Sequence, residues 1–79
     1  MNRVELIKSD LKLELNKEFE VTEIDKKIYA REQGNPTCYI WHTDTYTVMK
    51  HHEGNKPVID NCMSTKEMVN FITKDYKLN

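Results

Sequence analysis

No run of apolar residues in this 79-residue chain approaches the roughly 18 needed to cross a bilayer. The opening ten residues, MNRVELIKSD, interleave acidic and apolar side chains and hold no uninterrupted apolar core, so they do not read as a secretory signal. Cysteine is scarce as well. Cys38 and Cys62 stand 24 residues apart with no CxxC pair, which fits two reduced thiols in a cytoplasmic protein better than a disulfide framework. Charge of one sign is missing too: 12 Lys and Arg face 13 Asp and Glu. Duplex nucleic-acid binders usually carry a basic excess, and this chain does not. Repeats, linkers and low-complexity stretches are absent. The expectation is one small cytoplasmic domain over residues 1–79, off the membrane.

What is present suffices to fold. The chain is 32% charged but 38% hydrophobic, a mixture that argues against full disorder. A domain of this length buries only about 60–65% of its unfolded surface, enough for one modest core and a shallow site.

The N-terminal stripe Val4, Ile7, Leu11 and Leu15 has helical spacing and predicts a helix over about 3–16. Leu11, Leu13 and Leu15 also alternate with Lys12 and Glu14, so a shorter helix followed by a strand is the rival. Leu, Lys and Glu are good helix formers, which favours the helix. Phe19, Val21 and Thr22 then open a β-type region. Asp25-Lys26 turns it back into Ile28-Tyr29-Ala30, placing Glu20 opposite Arg31. Gly34-Asn35-Pro36 is a breaker. The stretch TCYIWHTDTYTVMKHH, residues 37–52, reads as an aromatic hairpin turning near Thr43-Asp44, and Gly54-Asn55 as a tight turn into Val58-Ile59. Ser64 and Glu67 form a capping box ahead of a helical stripe of Met68, Phe71, Ile72 and Tyr76. The predicted fold is α+β: an antiparallel meander of four to five strands flanked by an N-terminal and a C-terminal helix.

The turns suggest registers. A two-residue loop at Thr43-Asp44 pairs Trp41 with Tyr46, and a two-residue turn at Gly54-Asn55 pairs His51 with Val58. Alternation along strands then puts Tyr39, Trp41, Tyr46, Val48 and Ile59 on one face. Cys38, Ile40, Thr47, Met49, Val58 and Cys62 occupy the other, with His42 and His51 near its ends. Two helices cover one face of a sheet, and both faces here are apolar enough to be the covered one. The aromatic cluster is therefore either core, as large aromatics usually are, or a partner-binding patch. Partial burial with one edge open to a partner is the expectation, with Tyr39, Trp41, Tyr46, His42 and Lys50 as the partner-binding set.

Chemistry is sparse. A metal site would draw on Cys38, His42, His51, His52 and Cys62. Structural zinc sites bring ligands in close pairs, whereas Cys38 and His42 lie roughly 13 Å apart along a strand at ~3.3 Å per residue. No metal and no cofactor is expected. Cys38 with His51 could pair across the hairpin, but no third group orients them for thiol catalysis. Buried cysteines usually act as small hydrophobes, so no enzymatic activity is expected. The leading functional expectation is a non-catalytic protein-binding module, of the kind a phage or plasmid uses to inhibit a host or defence protein. The alternative is a module that stacks single-stranded nucleic acid on the aromatics of a sheet face, with Lys26, Lys27, Arg31, Lys50 and Lys56 near the phosphates. A homodimer formed through an edge strand is the third reading.

Overall fold

The computed structural model describes residues 2–78. The N-terminal stripe folds as α1, Arg3–Leu15. Asn2 caps it, its side-chain oxygen accepting the Glu5 N–H at 2.9 Å in the manner of a preferred N-cap. Asn16 closes it in the left-handed conformation, φ 55°, with its N–H on the Lys12 carbonyl. Ile7 and Leu11 are fully buried, whereas Leu13 is 83% exposed. The helix thus wins over the strand rival, because Leu13 falls off the stripe that Leu11 and Leu15 share.

Five strands follow: β1 Phe19–Ile24, β2 Lys27–Glu32, β3 Cys38–His42, β4 Thr47–His51 and β5 Val58–Asn61, then α2 over Thr65–Leu78. Each strand pairs antiparallel with its neighbours in chain order, the arrangement that short turns permit. The β1–β2 hairpin turns on Asp25-Lys26 with Asp25 at φ 51°, and Glu20 sits opposite Arg31 as the sequence predicts. Ser64 caps α2 by accepting the Glu67 N–H at 3.2 Å. The Glu67 carboxylate takes the N–H of Met63 rather than that of Ser64, so the box closes one residue earlier than expected.

Both helices lie on one face of the sheet. Ile7 and Leu11 from α1 and Met68, Val69 and Ile72 from α2 share a core with Phe19, Ile28, Ala30, Tyr39, Trp41 and Val48. The Trp41 indole N–H donates to the Cys62 carbonyl at 3.1 Å, and the Arg3 guanidinium lies 5.7 Å from the indole centroid. The Tyr39 ring meets Phe71 edge-on at 6.2 Å.

Two registers differ from expectation. The β3–β4 loop spans four residues, 43–46, and pairs Trp41 with Val48. Thr43 donates both its N–H and its hydroxyl to the Lys26 carbonyl, which ties it to the neighbouring turn instead of to Tyr46. Tyr46 takes a left-handed φ of 57°. A two-residue shift leaves every strand side chain on its expected face. The β4–β5 connection spans residues 52–57 and pairs Met49 with Ile59. Asn55 turns back onto the His52 carbonyl, His52 is held by the Thr37 hydroxyl at 2.7 Å, and Pro57 has no N–H to extend the ladder. The result is a one-residue slip that inverts β5: Ile59 joins the face of Ile40 and Met49, and Val58 the helix side. Cys62 lies beyond the strand, buried in the core.

Candidate functional site

Among the described residues, the face of the sheet away from the helices is bare. Its residues follow from the pairing: Tyr29 opposite Ile40, Ile40 opposite Met49, Met49 opposite Ile59. These four form one apolar row running across β2 to β5, about 14 Å between the outer backbones at ~4.8 Å per strand. Tyr29, Ile40 and Met49 are half-buried against one another, and Ile59 is 60% exposed. Adjacent cross-strand contacts of this kind stabilise a sheet, but nothing in the described residues lies over them.

Polar side chains border the row. Lys27 and His42 are paired on one side, with Thr47 next along. On the other, Arg31 stands beside Glu20, joined at 2.9 Å, and Cys38 pairs with His51. Arg31 and Glu20 neutralise each other, which leaves Lys27 as the net charge of the border. Burial raises the pKa of the Cys38 thiol, and the Arg31 charge only tempers the shift. A nucleophilic cysteine needs the opposite, so the Cys38–His51 neighbours are not an activated pair. Burial pushes the Cys62 thiol up to about 11. Among the described residues, no group of three or more His, Cys, Asp or Glu side chains could hold a metal ion.

The five residues expected to bind a partner are not brought together. Tyr39 and Trp41 are 1% and 4% exposed, beneath the helices. Burying them is what covers the helix side of the sheet, so the aromatic pair is core and not patch. Tyr46 stands apart in the β3–β4 turn, 51% exposed. Lys50 lies on the helix side, bonded to Asp75 at 2.9 Å. Only His42 borders the open row. The residues that do compose the row, Tyr29 and Ile59 above all, were missed. The alternation of Lys27, Tyr29 and Arg31 against Ile28 and Ala30 carried that information for Tyr29, whereas Ile59 depended on a loop whose length the turn residues did not reveal.

A second concavity of about 430 Å³ opens on the helix side, where Tyr39, Lys50, Asp75, Tyr76, Glu32 and Lys17 meet. The Tyr39 hydroxyl and the Lys50 ammonium both bond the Asp75 carboxylate. The Tyr76 hydroxyl donates to Glu32 at 2.7 Å, and Lys17 stands 3.6 Å from the same carboxylate. Burial first, then these carboxylates, raise both phenol pKa values. The groups satisfy one another, as polar groups sealing the end of a core must. This cleft closes the core between strands and α2.

Comparison with family models, with curated proteins and with solved structures returned no match. No helix among the described residues is long and apolar enough to cross a membrane.

Proposed function

We propose that this chain is a non-catalytic protein-binding module that docks its partner on the uncovered face of the sheet. The observation that carries the reading is the in-register row Tyr29, Ile40, Met49 and Ile59 on a face that neither helix covers among the described residues. A contiguous apolar strip with a polar rim is the anatomy of an interface. Lys27 on the rim, with His42 and His51 as polar neighbours, favours a partner that presents an apolar ridge edged with carboxylates. Blocking a host or defence protein requires only such a surface, which is why inhibition is the role favoured among protein-binding ones. Stacking of single-stranded nucleic acid is the weaker reading, since Tyr39 and Trp41 are buried and Tyr29 is left as the one aromatic residue in the row.

The test is affinity capture from native host lysate, with nuclease present, using wild type and the double variant Ile40→Lys/Met49→Lys. The two lysines stand opposite each other, which costs some stability, but both positions face away from the core, and the variant is compared once its circular dichroism matches wild type. It should lose a protein captured by the wild type at high salt. Unchanged capture by a folded double variant would exclude this face. Capture that disappears with nuclease and falls steeply with salt would point to nucleic acid instead.

A further inference from the structure

The sheet has two edges, and they differ. β1 packs against α1, and its Glu20 and Glu23 are engaged by Arg31 and Arg3. Charge and a covering helix are the usual guards of an edge strand. β5 has no covering helix and one charge, Asp60: all four of its residues are exposed, Val58 at 56% and Ile59 at 60%. Beside it runs a groove of about 230 Å³ toward α2, lined by Val58 and Phe71 and by two charges of each sign, Lys50, Lys74, Asp60 and Asp75.

We infer that β5 pairs with β5 of a second copy about a two-fold axis through Ile59, making one ten-stranded sheet. Backbone parity sets the register. The Cys62 N–H points inward to the Tyr46 carbonyl at 2.8 Å. In an antiparallel ladder such groups alternate, so Asp60 and Val58 face β4 while Ile59 and Asn61 turn their N–H and C=O outward. An axis through Ile59 lets each Ile59 N–H donate to the Ile59 carbonyl of the other copy. The Asn61 N–H, held at 2.8 Å by the neighbouring Asp60 carboxylate in the single chain, then meets the other copy's Pro57 carbonyl. Neighbouring registers do worse. An axis through Asp60 sets two carboxylates face to face, which is destabilising. An axis through Val58 sets Ile59 against Pro57 and Asn61 against Asn55, in the turn bonded to His52, so it overlaps less of the strand; Pro57 withholds an N–H in either register.

The side chains agree with that register. On the helix side Asp60 of one copy falls opposite Val58 of the other, at the groove where Lys74 supplies the opposite charge and Lys50 is already bonded to Asp75. On the open face Ile59 meets Ile59, and the apolar row of four becomes a continuous row of eight. This pairing uses the edge of the sheet and stands independently of what binds its open face.

Sedimentation over a concentration series into the millimolar range tests it, with wild type, Ile59→Pro, Asp60→Lys and the Ile40→Lys/Met49→Lys variant. Proline at 59 removes only an outward N–H, which an edge strand tolerates, so the monomer should fold as before. Wild type should dimerise reversibly, and Ile59→Pro and Asp60→Lys should each weaken the dimer by about tenfold or more. Asp60→Lys keeps the test decisive should the proline variant fail to fold. Exchange of the Ile59 amide should slow as wild-type concentration rises. A wild type that stays monomeric throughout overturns the inference. So does a dimer unaffected by either β5 substitution, or one lost only in the Ile40/Met49 variant, which would mean stacking through the open faces.

Discussion

Trp41 and Tyr46 stand five residues apart and have opposite fates. Trp41 faces the helices from the central strand, with its N–H satisfied by Cys62 and its ring covered by Arg3. Tyr46 occupies a turn at positive φ, half in solvent. A buried indole contributes through area and through the cavity it prevents. Trp41→Ala should therefore cost about 3–5 kcal/mol, a large part of the about 5–15 kcal/mol that holds a domain together. Tyr46→Ala, which removes no core contact, should stay within about 1 kcal/mol of wild type. Urea unfolding of both variants checks the contrast. Equal losses would mean that Trp41 is not the centre of the core. Residue type alone could not separate the two, because both are large aromatics in a β-prone stretch. What separates them is the Thr43 bond to Lys26, a contact between two turns that lie far apart in sequence.

At the scale of elements, the legible parts are those whose signals are local. The α1 stripe, the Asp25-Lys26 turn, the Glu20–Arg31 pairing and the Ser64 cap all rest on residues within a few positions of one another or on one tight turn. The cap gives a direct measure: Ser64→Ala removes the acceptor for the Glu67 N–H and should destabilise by about 0.5–2 kcal/mol, with Ser64→Asp restoring much of the loss. A Ser64→Ala variant as stable as wild type would show that the Glu67 bond to Met63 holds the helix start alone. The register of β5 was not legible in the same way. Gly54-Asn55 is a good turn pair, but Gly54 at φ 85° sits inside a six-residue loop shaped by Thr37, His52 and Pro57. One residue of slip moved Ile59 from the expected aromatic face to the open one. The candidate site inherits that error, since the open row takes its fourth member from β5, and the expected aromatic set named the covered face.

At the scale of the whole molecule, two carboxylates tie the layers together. Asp75 on α2 takes the hydroxyl of Tyr39 on β3 and the ammonium of Lys50 on β4. Glu32 at the end of β2 takes the hydroxyl of Tyr76 on α2 and faces Lys17 in the link after α1. The Tyr76 bond first, with the Lys17 charge adding to it, holds the Glu32 carboxyl below the ordinary carboxylate range against the opposing effect of burial. Such a group adds stability that is fully present above its unfolded value, about 4.3, and is lost as pH falls through the lower folded value. Burial and the same bond raise the Tyr76 phenol. Its contribution is complete below the ordinary phenol value of about 10 and disappears as pH rises through the raised one. The seam between α2 and the sheet thus fails from both ends of the scale through one hydrogen bond. Glu32→Gln should be less stable than wild type at neutral pH, and the gap should close in acid, where wild type loses the ionised carboxylate that the variant never had. Tyr76→Phe should show its deficit across the neutral range and close it in alkali. Urea unfolding at a series of pH values measures both gaps. A Glu32→Gln deficit of the same size at pH values well below and well above the carboxylate range would mean that the amide loses only packing, and that the ionised Glu32 does not help hold α2 to the sheet.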